Sequence, residues 1–343
     1  MFESWDHPNR PCCGICGGLI VPGASRFPGN FPGWTEDEQF KRVSVDDFRE
    51  KLIKEQFHWQ SGYRAVVKLG RQPPFISGAS YRYSDADIDE TGSLPVPKEM
   101  ESVVLNRNKT WPEDEFIRIE KPHIDSYDTS EANVGWVFHE VCWIMLEQVD
   151  DDYQVMNNNL DLFMIAVHDE MTEKREEHTK LIIRAGRNTM WLQRRFKEAT
   201  VNPFHIPMLG NVTNAALNRE VREPKLLMPD IRSAAGFRIS GGAFYKLQVE
   251  TQQMIANHID DEKDFRAFLL ATRWRFPSVY WRKRIPECFY EIHKGIGDQR
   301  VDWQWLGLEV SRIVEKQYAE IHNRARIYAH IKRLFVILSQ GVR

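Results

Sequence analysis

The chain has 343 residues, 42% of them hydrophobic and 12% aromatic, which is enough apolar side chain for two or three cores and excludes a disordered tail. A formal net charge of -3 with 28% charged residues excludes a whole-protein field that would draw it to nucleic acid or to an anionic membrane. Five cysteines in a chain this long do not make a disulfide framework, so reduced thiols or a metal site are expected.

Residues Met1 to His7 are polar and acidic where a secretory signal carries basic residues and then an apolar run. The apolar stretch Leu334 to Leu338 is far shorter than the ~20 residues that span a bilayer. An intracellular protein of the cytoplasm or nucleus is expected, with no membrane partner.

Residues 1 to 35 are rich in Gly, Pro and Cys and read as turns around a short knuckle. Phe40, Val43, Phe48, Leu52, Ile53, Phe57 and Tyr63 recur at mixed three and four spacing, which predicts an amphipathic helix, with Val66 to Leu69 strand-like. Residues 70 to 130 hold Pro, Gly, the acidic run Asp85 to Glu90 and short β-prone pieces at Val103 to Leu105 and Phe116 to Ile119, so a long loop with a little sheet is expected.

Val134, Val137, Phe138, Val141, Cys142, Met145 and Leu146 follow the spacing of a helix laid on a core, ending near Asp150. A charged helical segment around 169 to 198 leads into Pro203, Pro207, Pro224 and Pro229, whose fixed φ and missing N–H groups mark a domain boundary. From 244 onward the chain reads helical, ending in one long segment on which Val310, Ile313, Val314, Tyr318, Ile321, Ile327, Ile331, Leu334 and Leu338 keep helical spacing.

The expected fold is therefore mainly α, with a smaller α+β N-terminal unit and, from 244, a helical segment followed by a long C-terminal helix. The expected division is 1–150 for the N-terminal α+β unit, 151–240 for a helical, Pro-containing connector and 241–343 for the helical domain with its C-terminal helix.

Cys13-Gly-Ile-Cys16 is a C-x2-C pair whose glycine lets both thiolates turn toward one tetrahedral ion. His139 and Cys142, three apart on the expected helix, are the other clustered soft ligands and complete a Cys3His set. More than a hundred residues separate the two pairs, so tertiary folding must assemble the site. Cys142 also reads as an ordinary small core residue with His139 as its hydrogen-bonded neighbour. Cys12 competes with Cys13 as ligand, and the spacing of two favours Cys13. Four protein ligands fill the shell of Zn2+, so such a site is structural.

Residues 244 to 284 carry Leu247, Glu250, Ile255, Ile259, Asp264-Phe265, Phe268 and Trp281 at the spacing of an F-box. Trp59, Tyr63-Arg64-Ala65-Val66, Phe138-His139, Cys142-Trp143, Asp302-Trp303, Trp305-Leu306, Asn323-Arg324 and Arg326-Ile327 look like landmarks of a fungal F-box-like family with an N-terminal C-x2-C. Gln248 stands where that family has proline, and Thr251 where it has leucine. The resemblance implies binding to the Skp-type adaptor of a cullin-RING ubiquitin ligase through Leu247, Glu250, Ile255, Ile259, Asp264, Phe268 and Trp281, in order to recruit an unknown protein target. Leu247, Ile255, Ile259, Phe268 and Leu269 are expected to fill a three-helix core, with Asp264 capping its second helix. The alternative is an interaction scaffold in which these helices only pack.

Enzyme readings are weaker. His139-Glu140-Val141-Cys142 begins like the H-E-x-x-H helix of zinc hydrolases but lacks the second histidine. Cys288 has only His293 as a nearby base. Phosphate-cradling and nucleophile-elbow glycine motifs are absent from the sequence. The basic bias from Glu309 to Arg343 reads as a solvated face, and neither catalysis nor nucleic-acid binding is expected.

Overall fold

The structure, a computed structural model, describes residues 11–21, 40–54, 59–82, 93–106, 111, 113–120, 133–150, 156, 158–185, 200–219, 247–296 and 300–341. The acidic run at 85–90 and Pro224 and Pro229 lie outside them. The chain divides into two compact units, Met1–His205 with Ala319–Arg343, and Ile206–Tyr318. This differs from the boundaries expected at 150 and 240. The first crossing point falls between Pro203 and Pro207, inside the Pro-containing stretch, while the C-terminal helix returns to the first unit.

The first unit is built on a six-stranded mixed sheet, which corrects the expectation of a mainly α protein with a small β part. Its strands are β1 (Phe40–Val43), β2 (Gly62–Leu69), β3 (Phe75–Ile76), β4 (Ala79–Tyr81), β6 (Val103–Asn106) and β8 (Asn133–His139), while β5 (Leu94–Pro97) and β7 (Phe116–Ile119) form a separate antiparallel pair. β8 covers one edge of β2 from Tyr63↔His139 to Leu69↔Asn133. β3 and β4 share the other edge, and β4 runs parallel to β6, which in turn pairs antiparallel with β1.

The pattern hid these strands because the central ones are covered on both faces. Residues Gly62 to Val67 of β2 and Val134 to His139 of β8 are buried without alternation, so the period of two that identifies a half-exposed strand is missing. Val134, Val137 and Phe138 thus belong to a strand, and only the residues from Glu140 on form helix α2 (Glu140–Val149), which ends at Asp150 as expected.

Helix α1 (Val45–Lys54) starts where Ser44 Oγ accepts the Asp47 N–H at 3.0 Å, carries Asp46 and Asp47 in its first turn, and buries Phe48 and Leu52. It is one helix between two strands, so the expected continuous helix from Phe40 to Tyr63 is corrected. Helix α3 (Leu160–Ala185) places Phe163 against Phe138 and Trp143, with ring centroids 5.7 and 6.4 Å apart. Helix α10 (Ala319–Gly341) packs on α3 and α2 through Ile327, Ile331, Leu334 and Leu338, all buried.

The second unit comprises α4 (Leu209–Leu217), α5 (Val249–Asn257), α6 (Glu262–Thr272), α7 (Ser278–Arg284), α8 (Tyr290–His293) and α9 (Trp303–Glu315). The expected long C-terminal helix is two helices: Gln317, with φ of 50°, breaks the run between α9 and α10, and the two halves join different units. Asp302 caps α9 by accepting the Trp305 N–H at 3.0 Å. The cap of α6 is Asp261, which accepts the N–H of Asp264 at 2.8 Å, so Asp264 sits inside the first turn instead of capping it.

The centre of this unit is aromatic. Trp281 is 1% exposed and its ring lies 5.9 Å from Phe265 and 5.5 Å from Tyr280. Gly307 of α9 leaves it room, since a Cβ there would stand 2.3 Å from Trp281 Cε3, inside any real contact. Gly307→Ala should therefore cost about 1–3 kcal/mol through overpacking, although alanine is the better helix former. Chemical denaturation of the full chain reads this, and an unchanged midpoint would show that α7 and α9 separate freely.

Candidate metal centre

The segment Pro11–Val21 forms a short knuckle. Cys13 N–H donates to Gly18 O and Gly17 N–H to Cys13 O, both at 2.8 Å, which closes a tight turn. Gly17 takes φ of +72°, a left-handed conformation that side chains with a Cβ avoid, and this lets the chain reverse directly after Cys16. The reversal aims the Gly18 N–H at Cys16 Sγ, 3.3 Å away.

His139 and Cys142 arrive from the sheet. His139 is the last residue of β8 and stands just before α2, while Cys142 lies one turn into that helix. A strand end and a helix start, instead of one helical face, therefore bring the two together. The register Tyr63↔His139 with β2 fixes the histidine in depth.

Cys13, Cys16, His139 and Cys142 are all buried, and their ligand atoms lie within 4.8 Å of one another. Nδ1 of His139 is 3.2 Å from Cys16 Sγ and 3.9 Å from Cys142 Sγ, and the His139 N–H points at Cys13 Sγ at 3.4 Å. A tetrahedron with metal–sulfur bonds of about 2.3 Å sets its sulfurs ~3.8 Å apart, so the four atoms need only a slight contraction to share one ion. Cys12 stands outside the cluster: it is half-buried and its backbone bridges to Leu19. Cys13 is thus the cluster's cysteine of the two.

The surroundings orient the imidazole. With its proton on Nε2, the His139 ring donates to the Leu19 carbonyl at 3.0 Å, which leaves Nδ1 free for the cluster. Trp59 packs against the ring with centroids 5.1 Å apart, and its own Nε1–H is held by the Thr200 carbonyl at 3.0 Å.

The electrostatics favour positive charge among the four ligand atoms. Burial opposes ionisation of Cys16, yet hydrogen bonds with Cys13 and Cys142 and the nearby His139 charge outweigh it and hold the thiol well below its ordinary value. Burial would also lower His139, but the charges of Cys16 and Cys13 prevail and push it to about 10. Cys142 is raised, first by burial and then by its two cysteine neighbours. A buried set that favours a thiolate at Cys16 and positive charge beside it is electrostatically suited to a cation.

Comparison adds nothing to this geometry. No family model, curated protein or solved structure matches the chain.

Glu140, one residue past His139, is fully buried and both its carboxylate oxygens are taken. Arg64 Nε and NH2 donate to Oε2 and Oε1 at 2.5 and 2.7 Å, and Arg49 Nε donates to Oε1 at 2.7 Å. Arg49 also reaches Glu147 by two bonds, at 2.8 and 2.5 Å. Burial would raise the Glu140 carboxyl, but the two guanidinium groups win and lower it. This carboxylate ties α1, β2 and α2 together, and it is not placed to activate a metal-bound water. His293, the base nearest Cys288 in sequence, turns Nε2 to the carbonyls of Ile285 and Pro286 at 3.2 and 3.3 Å.

The residues singled out for partner binding lie on α5 to α7, except Leu247 just before α5 and Ile259 in the link between α5 and α6. Leu247, Ile255, Ile259 and Phe268 are half-buried, Glu250 and Asp264 are exposed, and Trp281 is enclosed in the core. The buried residues of the first two helices are Ala256, Phe265 and Leu269. Expected core and observed core therefore share Leu269, while Phe265 and Trp281 do most of the filling.

Sequence reasoning named Trp59 and Arg326 without giving them a role. Arg326 of α10 donates to the Cys16 carbonyl at 2.7 Å. The Gly17-Gly18 pair directly after Cys16 was the readable sign of a knuckle.

Proposed function

We propose that the chain is a non-catalytic interaction protein whose first unit is fastened by a structural Zn2+ on Cys13, Cys16, His139 and Cys142. The closed four-residue set carries this reading, because a filled tetrahedral shell keeps no position for water or substrate. The ion would supply folding free energy, stapling the Pro11–Val21 knuckle to the junction of β8 and α2.

We further propose that α5 to α7 act as an F-box-like element that binds a Skp-type adaptor of a cullin-RING ubiquitin ligase. Of eight exposed large hydrophobic side chains among the described residues, four lie on these three helices: Val249, Met254 at 64% exposure, Leu270 at 73% and Val279 at 59%. Exposed apolar anchors are what a docking face requires. The burial of Trp281 favours the scaffold reading, in which the helices only pack.

Calorimetric titration with a purified Skp-type adaptor separates the two. Binding at micromolar concentration or tighter is expected, and Leu270→Asp should weaken it by more than tenfold with the circular dichroism unchanged. Leu247→Ala should weaken it with less loss of stability than Ile255→Ala. A folded wild-type chain that shows no heat of binding would leave the scaffold.

A further inference from the structure

We propose that Arg326 of α10 is a positioning residue of the metal centre, which fixes the Cys16 side of the knuckle and couples the docking of α10 to metal occupancy. The proposal rests on the zinc reading above. Arg326 NH1 donates to Cys16 O at 2.7 Å, across 310 positions of sequence, and NH2 donates to Asn323 Oδ1 at 2.8 Å. Asn323 is itself buried and its Nδ2 donates to Val201 O at 2.8 Å. The guanidinium is therefore held from behind before it grips the knuckle.

The grip falls on the peptide that matters. Cys16 O belongs to the peptide that leads into Gly17, whose positive φ turns the chain and aims the Gly18 N–H at Cys16 Sγ. Fixing that carbonyl fixes the direction of the thiolate. Charge works the same way, since three thiolates and a neutral imidazole around a divalent ion leave one negative charge in excess. Arg49 and Arg64 are committed to Glu140 and Glu147, whereas Arg326 brings its cation to the backbone of a ligand. Orienting groups of this kind change metal affinity by about 10–100-fold when removed.

The coupling runs both ways. If the loaded knuckle presents Cys16 O to Arg326, then loss of the ion releases that acceptor and loosens the first turns of α10, which Asn323 otherwise ties to Val201 O. The last segment of the chain would then report the state of the first.

The test uses the full chain loaded with zinc under reducing conditions, with zinc content measured by mass spectrometry, release timed by a chromophoric chelator, and hydrogen exchange followed in 11–20 and 319–330. Arg326→Ala should still hold one zinc per chain but release it about tenfold faster or more. Arg326→Lys, which keeps the charge but cannot bridge both acceptors, should also release faster than wild type. Arg333→Ala loosens the same helix elsewhere by removing the Arg333–Glu170 pair at 3.8 Å, and should release at the wild-type rate. Stripping zinc from the wild type should raise exchange in both segments. Wild-type release from both Arg326 variants, equal acceleration in Arg333→Ala, or α10 exchange indifferent to zinc would each overturn the proposal. A wild-type chain that takes up no zinc would overturn the zinc reading itself, and the metal content shows this before any variant is compared.

Discussion

Cys142→Ser should abolish zinc binding and lower the melting temperature of the chain by many degrees. Structural zinc in isolated finger peptides contributes about 10–16 kcal/mol at neutral pH, and a whole domain is stable by only about 5–15 kcal/mol. Losing even a third of the first figure would remove most of the stability of a domain at the lower end of the second. The loss should be large here because the four side chains join the Pro11–Val21 knuckle to the junction of β8 and α2, and the knuckle's backbone tie to β8, Gly14 N–H to Val137 O at 2.8 Å, depends on the same register. Cys12→Ser is the matched control: a half-buried thiol outside the cluster should leave both zinc content and melting unchanged. Excess chelator should bring the wild type down to the melting profile of Cys142→Ser. A Cys142→Ser protein with one zinc and an unaltered melting curve would remove the staple from the account.

The cluster of four residues was legible in the sequence because so few soft ligands lie close together along the chain. Cys13 with Cys16, and His139 with Cys142, are the pairs at ligand spacing, and burial of all four within 4.8 Å follows from bringing them together. What brings them together was not legible. Local periodicity reads Val134 to Leu146 as one helix because a strand buried on both faces and a buried helix are both continuously apolar. Only the pairing with β2, some seventy residues earlier, decides that Asn133–His139 is extended. The same limit hid the destination of α10. Its apolar spacing announces a helix, but whether Ile327, Ile331 and Leu334 pack on the preceding helices or on α2 and α3 depends on a turn at Gln317 that carries no glycine to signal it. Capping shows the limit on a smaller scale: Asp261 and Asp264 have the same chemistry, and three residues of chain decide which one accepts and which one donates its N–H.

Glu140→Gln should be the most damaging single change outside the ligand set. The carboxylate is 0% exposed, Arg64 beside it is 1% exposed, and together they make two charge-assisted bonds of 2.5 and 2.7 Å. Glutamine keeps the shape and one acceptor but loses the charge, so Arg64 is left as a buried cation whose amide neighbour also presents donors toward it. Removing one member of a buried pair costs about 3–5 kcal/mol, mostly as the desolvation of the partner left behind. Arg49 softens the loss little, because it keeps Glu147 at 2.5 Å and would not follow Arg64. The double change Glu140→Gln with Arg64→Met should recover much of the stability, since it removes the stranded charge as well. Denaturant titrations of the wild type, both single variants and the double variant close this cycle. The outcome also separates a staple from a hydrolase. If Glu140 served a metal-bound water, Glu140→Gln would leave stability intact and remove only an activity. If it ties α1, β2 and α2, the denaturation midpoint falls while the zinc content of the protein that remains folded stays at one per chain.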